Sequence, residues 1–253
     1  MKDIEYILEF AVNLGSSLLH SGANLERAND SMYRVCSSYN LTEISIFSLS
    51  TIIQIGAKNE EGEYAVRQIA VPSMDTHMEK LRRLNQLSRT VCSEHPEPSQ
   101  LMSMHDSALN CDDYNKWIVL LGRMLAMVGI CWIFGGTVGD IIATVTITFP
   151  LYWIIQWLSA KNLNDIIADI ISMIFAGCAA IWACFMGIGD QVFIIMITLS
   201  MIKVPGIPLV NAARNLLCGN EMNGILEGLK ALIETLAIVL GLFISIEICG
   251  GLM

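Results

Sequence analysis

Charge is what this chain has least of. Only 15% of its 253 residues are Asp, Glu, Lys or Arg, against about 25% in an ordinary soluble domain. The charge present sums to −9 at pH 7 and forms no basic stripe or patch, which excludes the electrostatic footprint of a nucleic-acid binder. Histidine is scarce, four in all, with none at metal-ligand spacing. Eight cysteines, at 36, 92, 111, 131, 178, 184, 218 and 249, contain no CxxC pair. They read as free buried thiols, so no metal site and no cofactor is expected. There is no GxxxxGK[ST] loop to cradle a nucleotide phosphate and no GxSxG nucleophile elbow. The opening MKDIEYILEF carries acids and lacks the layout of a signal peptide. The amino-terminal part is therefore expected to stay in the cytoplasm.

What the chain has instead is apolar length. Hydrophobic residues make up 54% of it, and the mean hydropathy is +0.55. The charge is unevenly spread. Residues 1–116 hold 10 of the 15 Lys and Arg and 16 of the 24 Asp and Glu, which leaves 5 and 8 for residues 117–253. This predicts two parts: a small cytoplasmic α+β domain over 1–112 and an α-helical membrane domain over 113–253.

In the first part, Ile4, Ile7, Leu8, Ala11, Leu14, Leu18 and Leu19 have the spacing of an amphipathic helix. Ser21-Gly22 ends it, and 24–39 reads as a second helix. TEISIFSLSTIIQIGAK, with its β-branched residues and partial alternation, reads as one or two strands; EYAVRQIAV returns after the turn at 59–62. Residues 74–92 regain helical spacing, and 99–110 suits one more short helix. The expected order is α-α-β-β-α-α. His20-Ser21 and nearby acids invite a hydrolase reading, but a triad is recognised by geometry; a regulatory, docking or gating role is favoured. The basic cluster Lys80, Arg82, Arg83 and Arg89 reads as a solvated helix face, with contact to anionic lipid or an acidic substrate as the minor alternative.

A span needs about 20 apolar residues. Five stretches are assigned: 117–134, 137–158, 165–186, an abbreviated 188–202, and 228–249. Lys116, Lys161, Lys203 and Arg214 all fall at boundaries that are cytoplasmic if the amino terminus is inside. The turns at Gly135-Gly136 and 187–189 carry no cation. The positive-inside rule therefore puts the amino terminus in the cytoplasm and the carboxyl terminus outside the plasma or inner membrane. Carboxylates deep in a bilayer are costly and suggest function. Asp169 and Glu234 lie one to two turns from the inner side, whereas Asp140 and Asp190 lie near the outer interface, where they can snorkel. All of Asp140, Asp169 and Glu234 are proton-coupling candidates. Arg123 is two turns deep, with a stem long enough to reach the inner surface.

Between 202 and 217 the apolar pattern breaks at IKVPGIPLVNAARNLL. Prolines 205 and 208 lack an N–H and disfavour helix in the residue before them, and Gly206 tolerates unusual backbone angles. Broken helices at membrane depth tend to line a solute cavity. Pro205, Gly206, Asn211, Arg214 and Asn215 are the candidate substrate-binding residues, with Arg214 able to hold a carboxylate bidentately.

VPGIPLVNAARNLLCGNEMNGILEGL resembles the Pro-Gly signature of the threonine/serine exporter family, and LLHSGANLERANDSMYRV resembles the opening of that family's soluble domain. MEKLRRLNQLSRTV and Gly135-Gly136 with Asp140 also fit. The resemblance implies a secondary exporter. It also implies similarity to the larger half of a split form, a soluble domain plus five spans that works with a second five-span subunit or as a homo-oligomer. The expected cargo is threonine or serine. A dicarboxylate of the succinate type is the alternative, and a regulatory membrane subunit whose partner conducts is a further one. Where the family often has acids, this chain has Asn24 and Asn215; where it often has an apolar residue, this chain has Lys203. One acid fewer and one cation more beside the signature would favour an anionic substrate.

Overall fold

The computed structural model describes residues 2–72, 77–111, 114–161 and 163–250. It contains two compact units: 1–112 with 210–227, and 113–209 with 228–253. The expected boundary between 112 and 113, and the expected helix start at 74–76, lie outside the described residues.

The first unit is built on α1 (Lys2–His20), α2 (Leu25–Ser38), α3 (Met78–Glu94) and α4 (Leu101–Leu109) around a three-stranded sheet. Strands β1 (Thr42–Leu49), β2 (Ile52–Lys58) and β3 (Tyr64–Ala70) form an antiparallel meander in that order. The expected order counted two strands, with the first stretch left open as one or two; the described residues form three. TEISIFSLSTIIQIGAK folds on itself at Ser50-Thr51, with Leu49 paired to Ile52. Those two residues lack the Asn-Gly or Asp-Gly signature of a tight hairpin, so the sequence does not announce the turn.

Period-two alternation puts Ile53, Ile55 and Ala57 on the buried face of the sheet, against α1. Helix α1 buries the residues that its spacing singled out: Ile4, Ile7, Leu8, Ala11, Leu14, Leu18 and Leu19. Gly15 lets α1 approach α2 so closely that a Cβ there would meet the Met32 sulfur. Asn24 caps α2, accepting from the Arg27 N–H at 3.1 Å. Asn and Asp are both strong N-caps. On α3, Glu79 accepts from both Arg82 and Arg83 at 2.8–3.0 Å, and these bonds pull its carboxyl down to about 2.

The second unit is helical. Four helices among the described residues are long and apolar enough to cross a membrane: α5 (Lys116–Ile133), α6 (Val138–Ala160), α7 (Asp165–Phe185) and, after two short ones, α10 (Glu221–Cys249). The expected fourth span, 188–202, holds only the nine-residue α8 (Val192–Ser200). At 1.5 Å per residue that is about 14 Å, half of a hydrocarbon core of about 30 Å. The expected broken segment 203–217 is itself mostly helix, α9 (Gly206–Leu217). Pro208 is tolerated in its first turn, where the N–H has no partner to lose.

Leu151, Met173, Ala176, Ala180, Ile195 and Leu199 make the centre of this unit. Small residues set the spacing between α7 and α10: a Cβ on Gly241 would stand 2.7 Å from the Ile170 carbonyl, and one on Gly177 would meet the Ser245 hydroxyl. Close backbone approach of this kind is how helices pack where lipid gives no hydrophobic drive. All five tryptophans lie in this unit, all exposed, and each is within about two turns of a helix end. Amphipathic rings favour the headgroup level. The Arg123 guanidinium sits 5.1 Å from the centroid of the Tyr152 ring.

Candidate functional site

Helix α8 ends because the chain runs into Val204-Pro205. The N–H groups of Lys203 and Val204 both turn back to the Ser200 carbonyl, at 2.9 and 3.2 Å. Pro205 supplies no N–H, and α9 starts afresh at Gly206. The half-helix α8 is held among its neighbours by buried Ile195, Met196, Thr198 and Leu199. Its last carbonyls carry the negative end of the helix dipole, and Lys203 sits at that end.

Lys203 Nζ lies 2.6 Å from Asp169 Oδ1 on α7. Asp169 is nearly sealed, with 6% of its side chain exposed, against 22% for Lys203. Asp165 and Glu234 are near enough for their charges to act on one another and on Asp169, and the charge of Glu234 also acts on Lys203. Glu234 also faces Lys230, one turn before it on α10, at 3.8 Å. The break thus meets a cluster of three carboxylates and two ammonium groups. Such a pair, desolvated, is held by mutual attraction. Sequence reasoning singled out Asp169 and Glu234 and noted Lys203 both as a boundary cation and as an extra cation beside the Pro-Gly segment, but did not pair it with Asp169. The signal was its place three residues before Gly206, beside the Pro-Gly break.

Asp140 stands elsewhere, at the opposite end of the α6–α7 helical hairpin. It is fully buried rather than snorkelling. Its Oδ1 accepts the N–H groups of Asp190 and Gln191, both at 2.8 Å. Its Oδ2 accepts the Thr137 N–H at 2.9 Å, closing a capping box at the start of α6. The Thr137 hydroxyl lies 2.6 Å from Asp190 Oδ2 and 3.1 Å from Asp140 Oδ2. Gly189 and Gly139 leave the room this knot needs: a Cβ on Gly139 would come within 2.6 Å of the Ile188 carbonyl.

The remaining candidates belong to the first unit. Arg214 does hold a carboxylate, but it is the chain's own Glu26, at 2.9 Å. Asn215 Nδ2 donates to Glu227 at 3.0 Å. Asn211 shares their face and is buried, with no partner for its Nδ2 among the described residues. Asn223, near the start of α10, was not flagged by the sequence and is buried against the β1–β2 turn. It accepts the Ser50 N–H at 2.8 Å and donates to the Ser48 carbonyl at 3.2 Å. The Ser21 hydroxyl, offered by the hydrolase reading, is buried and has no hydrogen-bond partner among the described residues.

A family model described as "ThrE: Putative threonine/serine exporter" matches residues 9–249. That is a family of transporters and not of enzymes. No curated protein and no solved structure matches the chain.

Proposed function

Because the chain belongs to the ThrE family of threonine/serine exporters, we propose that it is a multi-pass subunit of a secondary exporter that moves threonine or serine out of the cell. The observation that carries the site assignment is the buried Lys203–Asp169 pair at the break between α8 and α9. A zwitterionic amino acid presents one carboxylate and one ammonium. The first would replace Asp169 on Lys203 and the second would replace Lys203 on Asp169, so neither buried charge is left alone. A dicarboxylate would satisfy Lys203 and confront Asp169 with a like charge, which argues for the amino acid over succinate.

In this reading α8 is the half-helix of a fourth, discontinuous crossing. Five crossings then leave the amino terminus in the cytoplasm and the carboxyl terminus outside. A second five-span subunit or a second copy supplies the rest of the pathway. Asp169 and Glu234 are the proton-coupling groups, and Asp140 serves as the cap of α6 and α8. Asn211, Arg214 and Asn215 would act on the substrate only after giving up their present partners.

Counterflow of labelled threonine into proteoliposomes tests this, with unlabelled threonine, serine or succinate inside and the chain alone or with a five-span partner. Threonine exchange that Asp169→Asn deprives of its pH dependence is expected. Exchange of succinate but not threonine would assign the dicarboxylate class instead. Unchanged rate and pH dependence in Asp169→Asn would remove Asp169 from the mechanism.

A further inference from the structure

The chain has eight arginines. Five are held by carboxylates: Arg34 by Asp30, Arg67 by Glu5, Arg82 and Arg83 by Glu79, and Arg214 by Glu26. Arg123 rests on the Tyr152 ring. Among the described residues only Arg27 and Arg89 have neither an ion pair nor a ring beneath them, and both line the same cavity. In a chain with 24 acids to 15 bases, two unpaired guanidiniums at one concavity are not what random surface pairing would leave.

The cavity, about 300 Å³, lies between α2 and α3 in the first unit. Helical spacing builds it. Arg27, Ser31 and Arg34 recur at i, i+4 and i+7 on α2, and Asn85, Ser88, Arg89 and Cys92 recur at i, i+3, i+4 and i+7 on α3. Ser31 and Ser88 are buried, while the arginines are exposed. Ser31 spends its proton on the Arg27 carbonyl, and Asn85 spends an N–H on the Leu81 carbonyl. The Ser88 hydroxyl makes no hydrogen bond among the described residues, so it remains available together with the two guanidiniums. Asp30 is occupied by Arg34 through two contacts of 3.0 Å. The balance of three arginines against one aspartate leaves the cavity with a charge of +2.

We propose that this cavity is a binding site for a small oxyanion, separate from the transport site. Its ligand is a metabolite with one or two carboxylate or phosphate groups, held by Arg27 and Arg89 through charge-assisted, fork-like hydrogen bonds and by the Ser88 hydroxyl. The volume lies at the small end of ligand pockets, which excludes nucleotides and favours compact anions. Because the ligand would bridge α2 and α3, its occupancy reports an anion concentration to the unit that also contains 210–227.

The test uses the full chain in detergent micelles at constant ionic strength. Succinate and inorganic phosphate are titrated separately by calorimetry, with chloride as the control. Saturable binding of either oxyanion is expected, and whichever binds tighter assigns the carboxylate or the phosphate source. Arg27→Gln and Arg89→Gln should each weaken it about tenfold or more, whereas Arg67→Gln, on another face, should leave it unchanged. Protection of the wild-type chain from phenylglyoxal gives a second readout that needs no variant: the ligand should shield Arg27 and Arg89 and leave Arg67 to react. Absence of saturable binding, equal binding of chloride, or equal modification of Arg27 and Arg89 with and without ligand would overturn the proposal.

Discussion

Replacing Lys203 by Met removes the cation from a nearly sealed carboxylate. Asp169 has 6% of its side chain exposed and faces the fields of Asp165 and Glu234, so no other group in the cluster neutralises it outright. Breaking a buried pair from one side costs about 3–5 kcal/mol. The 22% exposure of Lys203 admits some water, which places the cost near the lower end, about 3 kcal/mol. For a chain of this length each kcal/mol moves the midpoint by about 2–4 °C, so Lys203→Met should melt about 6–12 °C below wild type. Asp169→Leu should do the same by stranding the ammonium. The double variant Lys203→Met with Asp169→Leu should recover most of the loss, because two apolar side chains need no partner. Every tryptophan lies between 117 and 182, so intrinsic fluorescence during a thermal ramp in detergent follows the unit that contains the pair. Single variants that melt with wild type, or a double variant that melts at the sum of the two losses, would refute a buried pair. Transport is a separate axis: if this pair receives the substrate, the stable double variant should still fail to exchange threonine.

Gly241→Ala should push α7 and α10 apart, because the new Cβ meets a backbone carbonyl that cannot swing away; a loss of about 1–3 kcal/mol is expected by thermal unfolding, and a wild-type midpoint would contradict the close approach. Asn223→Ala should cost about 1–3 kcal/mol by leaving the Ser50 N–H and the Ser48 carbonyl unpaired. Hydrogen exchange at the Ser50 amide should quicken, while Asn223→Asp, which keeps the acceptor, should preserve that protection. His105 is buried beside Phe10, 2.9 Å from the Ser17 hydroxyl, and burial lowers its pKa. The unfolded chain therefore takes up this proton first, and stability should fall as pH drops below about 6.5. A His105→Gln variant should lose that component of the slope, and an unchanged melting profile between pH 7.5 and 5.5 would assign it to other groups.

Charge alone suggests two parts, since charged side chains cannot be scattered through stretches that lipid must accept, but nothing in the charge pattern announces that 210–227 groups with the first unit. The face of α1 was equally legible, because burial against a sheet imposes the helical period on its apolar residues. The three strands were less so. The Ser50-Thr51 turn takes its support from Asn223, 173 residues away in sequence, and no local pattern encodes that. The half-length α8 was visible as a short apolar run before prolines. The extent of α9 was not, since two prolines in sequence look alike until one falls in a first helical turn.

The candidate residues divide in the same way. Residue type and membrane depth made Asp169 and Glu234 worth naming, and the Pro-Gly break in the apolar pattern drew attention to 203–217. Only the tertiary structure paired Asp169 with Lys203, 34 positions later in the chain, and gave Arg214 to Glu26. It also enclosed Asp140 in a knot of four acceptor contacts at the far end of the same hairpin. Sequence determines which groups are costly to bury, because that cost belongs to the side chain itself. Which partner offsets the cost depends on distances of a few ångströms between helices, and those are set by packing alone.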